Sequence, residues 1–179
     1  PNAWSGPYDD VKLLKGAQKT DYEAELGIVI GSLAKDISEA DAAKYIAGFM
    51  TINDVSERHR QAERGGQFTK GKSGETFCPA GPWLVTADEI KDVGKLGVRS
   101  WVNGEQRQNG TTANLVFGVY HIVAYLSQFM TLEPGDVIPT GTPAGVGLGF
   151  KPPKFLKEGD VMEIEVEGLG KQKAKLVQG

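Results

Sequence analysis

Glu23 and Glu25 stand two apart in the stretch YEAELGIVIG, and the next apolar run, IAGFMTIND, ends on Asp54. In a strand, an i, i+2 pair projects from one face with about 7 Å between positions. Tyr22, Ala24 and Leu26 then point the other way. Such a pair has two readings. One is a solvated polar face. The other is a site, because neighbouring strands would crowd three carboxylates together. Two unit charges roughly 4 Å apart repel by about 4 kcal/mol at an effective dielectric of about 20. Protons or a hard cation must relieve that repulsion. A set of carboxylate oxygens suits Mg2+, Mn2+ or Ca2+, whereas zinc takes His or Cys.

After Asp54 the chain reads VSERHRQ. In a helix, Asp54, Arg58 and Gln61 fall at i, i+4 and i+7 and share one face. A carboxylate, a guanidinium and an amide would project together, with His59 turned about 100° away toward solvent. His121 lies in the run VFGVYHIVAYLSQFM, where a packing or surface role is expected. Cys78, in TFCPAGPW, is expected to be a small packed side chain.

Two glycine loops compete for attention. GQFTKGKS, residues 66–73, has the spacing of a phosphate-binding loop. That motif needs an apolar strand before it and a helix after it. Here SERHRQAER precedes and GETFCPAGPW follows, so nucleotide binding is disfavoured. Lys72 still offers a mobile cation beside an acidic site. The second loop, PTGTPAGVGLG at 139–149, does not open a helix, so the dinucleotide fingerprint fails. It is either a strand-ending turn, or a place where Thr142 and backbone N–H groups meet an anionic ligand. Neither a nucleophile elbow nor a convincing Cys–His or Ser–His pairing stands out.

The elements that must position these residues are mostly strands. The sequence predicts strands at 22–30, 46–54 and 83–86, with residues 1–20 irregular. It predicts a short helix at 38–46 capped by Ser38, a polar helix at 55–64 and a long loop at 65–82. A hairpin over 97–110 turns at Asn103–Gly104. A helix over 116–130 carries Val119, Ile122, Val123, Leu126 and Phe129 on its apolar face. The echoing turns LEPGDVI and LKEGDVMEI each feed a strand, and a hairpin closes the chain. Twenty-four glycines and 9 prolines spread through 179 residues agree with a β-rich α+β fold rather than a helical bundle. A net charge of −3 gives no basic field for nucleic acid. The apolar runs fall short of a membrane span. A single cysteine excludes an internal disulfide and suits a reducing, cytoplasmic setting.

Taken together, YEAELGIVIG, GFMTINDVSERHRQ, KGKSGETFCPAGPWLVT, VNGEQRQNG, YLSQFMTLEPGDVIPTGTPAGVG and LKEGDVMEIEVEGLG resemble the fumarylacetoacetate hydrolase family over nearly all of residues 8–179. They look most like its branch of diketo-deoxy-sugar-acid hydrolases and proteins often labelled ureidoglycolate lyases. The resemblance implies a mixed β-sandwich rolled like a barrel, and a homodimer. It implies that Glu23, Glu25 and Asp54 hold Mg2+ or Mn2+, with Ca2+ compatible. Lys72 would be catalytic, meeting oxyanion charge on the substrate, and Arg58, Gln61 and Thr142 would bind substrate beside it. The implied activity is hydrolysis or lysis of a C–C bond in 2-oxo or 2,4-dioxo acids through an enolate. Isomerisation, dehydration and decarboxylation are open to the same site. Related enzymes often carry a His–Glu pair on an N-terminal lid, and neither His59 nor His121 matches it. Residues 1–179 are therefore expected to form one catalytic-type domain without that segment, or a catalytically impaired metal-binding fragment.

Overall fold

The computed structural model describes residues 2–179. A four-stranded sheet runs in the order Val137–Pro139, Ala24–Ile30, Ile46–Asn53, Val85–Thr86, antiparallel throughout. A five-stranded sheet runs Glu105–Thr111, Gly97–Val102, Val161–Val166, Lys171–Gln178, Val11–Leu13, and its last pair is parallel. Leu26, Ile28 and Ile30 of the first sheet meet Val98, Ile164 and Val166 of the second in one apolar core. A second cluster joins Tyr22, Val55 and Phe77 to Val102, Met162 and Leu176. The arrangement is the β-rich mixed sandwich that the sequence implies.

Position in the sandwich explains strand chemistry. Every residue of Ala24–Ile30 is buried, which accounts for the apolar run that follows Glu25. The Lys171–Gln178 strand of the larger sheet instead alternates, with Gln172, Ala174 and Leu176 inward and three lysines outward. Asn103 and Gly104 both adopt positive φ, at 52° and 82°, as a type I′ hairpin turn requires. Ser38 caps Glu39–Tyr45 by accepting from the Asp41 N–H at 3.2 Å, though the helix is of the tighter 3-10 kind.

Several boundaries differ from expectation. The helix predicted over 55–64 is confined to Arg58–Ala62. Ser56–Glu57 instead pairs with Thr20–Asp21, because the buried Glu57 carboxylate accepts from the Lys19 N–H and the Thr20 hydroxyl. Residues 1–20 are not simply irregular: Trp4–Ser5 pairs with Cys78–Pro79, and Val11–Leu13 edges the larger sheet. The 65–82 loop contains a helical turn, Thr69–Lys72. The long helix spans Val119–Ser127, leaving Phe129 exposed beyond its end rather than in the core. No helix among the described residues is long and apolar enough to cross a membrane.

Candidate metal centre

Antiparallel pairing sets Ala24 opposite Asn53 and Glu25 opposite Ile52. The Asp54 N–H then donates to the Glu23 carbonyl at 3.0 Å. The strand adjacency on which the carboxylate argument depends is thus present. One ligand oxygen from each of Glu23, Glu25 and Asp54 lies within 4.8 Å of the others. Glu23 and Glu25 are buried, at 8% and 3% exposure, so their face is not a solvated one.

The surroundings show how an unneutralised trio is held. Lys72 donates to both Glu23 Oε2 and Asp54 Oδ2, occupying the place of a cation between them. Burial works against the Lys72 ammonium, yet the Asp54 and Glu23 carboxylates outweigh it and raise its pKa. Among the described residues, Glu25 has no such partner. Burial, reinforced by the Asp54 charge, pushes its carboxyl up to about 8, although the Gly141 N–H donates to Oε2 at 2.6 Å. Asp54 is also raised, by burial first, with Lys72 opposing. An all-oxygen donor set, a stand-in ammonium and one carboxyl pushed toward its neutral form all fit a hard divalent cation.

Lys72 reaches the carboxylates because its helical turn packs closely on Arg58–Ala62. A Cβ added at Gly71 would lie 2.6 Å from Gln61 Cβ and 2.7 Å from the Glu57 carbonyl oxygen, so only glycine fits there. The segment with phosphate-loop spacing follows a helix and ends in this four-residue turn. It therefore lacks the strand–loop–helix geometry of that motif and presents Lys72 instead.

Arg58 and Gln61 share a face, as the spacing predicts, but their bonds are internal. Arg58 donates from Nε to Asp21 Oδ2 at 3.0 Å, from Nη2 to Glu23 Oε1 at 2.7 Å and from Nη1 to Gln61 Oε1 at 3.0 Å. Gln61 lines the site cavity; Arg58 sits behind it and fixes Glu23. The cavity, of about 440 Å³, is bounded by the three carboxylates, Gln61, Phe68, Lys72, Pro139, Gly141 and Thr142. The Thr142 hydroxyl donates to the Ala24 carbonyl at 2.9 Å and accepts from Gln108 Nε2 at 2.7 Å. His59 and His121 lie outside the cavity, against Glu63 at 3.0 Å and Glu39 at 3.1 Å. Burial, with Asp54 and Glu25 near it, lifts the Cys78 thiol to about 11, in keeping with a packed, unreactive side chain.

Two supporting residues escaped the sequence reading. Asp21, fully buried, accepts from Arg58 and from the Gly147 and Leu148 N–H groups, tying the Arg58 helix to the second glycine loop. Its signal was slight: a carboxylate immediately before the Tyr22–Glu25 run. Gln108, also fully buried, accepts from the Ala24 N–H and donates to Thr142 and the Pro143 carbonyl. A register shift between Gln106 and Gln108 accompanies its inward position.

Comparison with known proteins bears on the fold and the family. A Burkholderia lata protein provisionally named a hydrolase is 55% identical over 168 residues, 93% of this chain and 60% of its own length. This chain thus spans less than two thirds of that relative. Among solved structures, fumarylacetoacetate hydrolase from Exiguobacterium antarcticum superposes with a TM-score of 0.95 at 42% identity, covering 99% of this chain and 64% of that one. 5-Carboxymethyl-2-hydroxymuconate delta-isomerase from Mycobacterium smegmatis gives 0.91 at 40%, covering 99% and 66%. Maleylpyruvate hydrolase from Sphingobium sp. SYK-6 gives 0.87 at 35%, covering 99% and 63%. The family profile described as fumarylacetoacetate (FAA) hydrolase C-terminal matches residues 1–177. With that profile matched over residues 1–177, the chain belongs to the fumarylacetoacetate hydrolase family.

Proposed function

We propose that this chain forms the metal- and substrate-binding part of a divalent-metal-dependent hydrolase or lyase acting on 2-oxo or 2,4-dioxo acids. The observation that carries the reading is the convergence of three carboxylates on one wall of a cavity that Lys72 also lines. Glu23, Glu25 and Asp54 would hold Mg2+ or Mn2+. Such an ion, when bound, supplies a Lewis acid that polarises the 2-oxo group and offsets the substrate carboxylate.

The residues divide the remaining work. Hydrolysis of an acylpyruvate adds the oxygen of water to the acyl carbon and breaks the adjacent C–C bond. The electron pair stays on the carbon beside the 2-oxo group, which then takes a proton. Lys72 provides an ammonium on the cavity wall for the oxyanion charge that develops during that cleavage. Arg58, held by Asp21 and Gln61, fixes the orientation of Glu23 and so acts behind the substrate rather than on it. Gln108 and Thr142 hold the 139–149 loop against the Ala24–Ile30 strand, keeping the Gly141 N–H on Glu25.

Isomerisation is the second reading, and the isomerase names of three similar structures favour it. Product analysis separates the two, because cleavage gives two smaller acids and isomerisation one product of unchanged mass. The metal-site reading itself is tested by calorimetric titration of oxalate. Binding is expected with Mg2+ and not without it. Equal binding in both conditions, or none in either, would contradict it.

A further inference from the structure

A second, larger cavity adjoins the carboxylate site. Its volume is about 760 Å³, and its walls include Leu115, Phe117, Ile122, Tyr125, Leu126 and Ile138. The two cavities share Pro139, Gly141 and Thr142. At this divide Gly141 has a φ of 100°, and a Cβ built there would meet nothing within 4 Å. The partition therefore carries no side chain at its middle residue, and the space on that side is open.

The larger cavity has the wrong chemistry for a second anionic group. Among the described residues, neither Lys nor Arg lines it. His121, on its wall, is already against Glu39 and is stacked 4.8 Å from the Phe117 ring. A carboxylate entering this space would lose water without gaining a cationic partner. An alkyl or aryl group would meet aliphatic and aromatic walls.

We propose that this groove is the tail subsite of the enzyme, and that it selects 2-oxo acids whose far end is an uncharged alkyl or aryl group over those ending in a second carboxylate. The proposal rests on the metal-site reading above, which places the 2-oxo acid head among Glu23, Glu25 and Asp54. The head lies on one side of Gly141 and the tail passes to the other.

Oxamates test this, because they carry the same chelating head and offer no scissile C–C bond. Oxamate, N-butyloxamate and N-(3-carboxypropyl)oxamate are titrated calorimetrically into the 179-residue chain with Mg2+. A buried methylene is worth a factor of about four in affinity. The butyl compound is accordingly expected to bind at least about tenfold more tightly than oxamate, allowing for incomplete burial. The carboxypropyl compound is expected to gain nothing. Val116 also lines the groove and is 89% exposed, so Val116→Lys changes the wall at little cost to folding. In that variant the carboxypropyl compound should gain about threefold over oxamate measured on the same variant. Tyr125→Ser, also at an exposed wall position, should reduce the butyl gain.

Normal Mg2+-dependent oxamate binding with no gain from the butyl tail overturns the tail subsite alone. Absence of Mg2+-dependent oxamate binding overturns the metal reading and the subsite with it. A second copy of the chain is the competing occupant. It predicts a dimer that Val116→Lys disrupts and no butyl gain, and that pair of results also overturns the proposal.

Discussion

Two Glu-x-Glu pairs, one at the start of Ala24–Ile30 and one on Val161–Val166, behave in opposite ways. Glu163 and Glu165 lie on Val161–Val166, at positions open to solvent between buried Met162, Ile164 and Val166. Lys171 and Lys173 face Glu163 at 2.5 and 3.5 Å, and Arg99 faces Glu165 at 3.4 Å. The Lys171 hydrogen bond holds the Glu163 carboxyl below its ordinary range. Glu23 and Glu25 have the same spacing but are buried, and a third carboxylate, Asp54, stands beside them. There the Glu25 carboxyl rises to about 8. Spacing alone therefore does not make a metal centre. Burial combined with an excess of carboxylates leaves charge that water and surface lysines can no longer balance, which is the condition a cation would relieve.

The sharpest way to break this contrast is to neutralise one carboxylate in each pair. Glu25→Gln keeps an oxygen for the Gly141 N–H but removes the charge. It should weaken Mg2+-dependent oxalate binding by more than about a hundredfold, the upper end of what losing a residue behind the ligands costs. Glu163→Gln should leave that binding within about twofold and change stability by less than about 1 kcal/mol, as for an exposed ion pair. Comparable losses in both variants would remove the distinction.

Lys72→Ala sharpens the comparison further, because Lys72 belongs to the buried group alone. Turnover should fall on the order of a hundredfold through loss of one oxyanion partner. Mg2+ affinity should hold or improve, since the ammonium competing for Glu23 and Asp54 is gone. Steady-state kinetics paired with metal titration checks both halves. Loss of metal affinity with unchanged turnover would reverse the assignment.

Which of these features could be read from sequence follows from how local their causes are. The Ala24–Ile30 and Ile46–Asn53 strands announce themselves as apolar runs, and Asn103–Gly104 as a turn dipeptide. The meeting of Glu23, Glu25 and Asp54 was legible once those two strands were taken as neighbours. The helical turn at Thr69–Lys72 was not, because it depends on Gly71 fitting against Gln61 and Glu57 of the preceding helix and strand, a packing that no local pattern shows. Asp21 and Gln108 were hidden for the same reason. A buried carboxylate and a buried amide look like surface residues until the backbone N–H groups they bind are known. The spacing of Arg58 placed it beside the site with Gln61, but could not show that its bonds run to Asp21, Glu23 and Gln61.

The smallest effect expected is a pH signature. Glu25 moves from an ordinary 4.5 to about 8, so between those values the folded, metal-free chain holds more protons than the unfolded chain. Stability of the metal-free chain therefore falls as pH rises through that window. Mg2+ binding needs the carboxylate and should release about one proton per ion at pH about 7. Calorimetry in two buffers of different ionisation heat measures that release, and the melting gain from Mg2+ should be larger at about pH 9 than at about pH 6. For Glu163, whose pKa is lowered, the sign is opposite: its contribution is present above the ordinary value and lost as pH falls through the lowered one. Zero proton release would contradict the Glu25 assignment.

Glu23, Glu25 and Asp54 are proposed to hold one divalent ion. Anomalous diffraction from a Mn2+-soaked crystal tests it directly. A single strong peak is expected, with an oxygen of each of the three carboxylates about 2.0–2.6 Å away and Lys72 withdrawn from between Glu23 and Asp54. A peak elsewhere, with Lys72 still bridging those two carboxylates in saturating Mn2+, would contradict it.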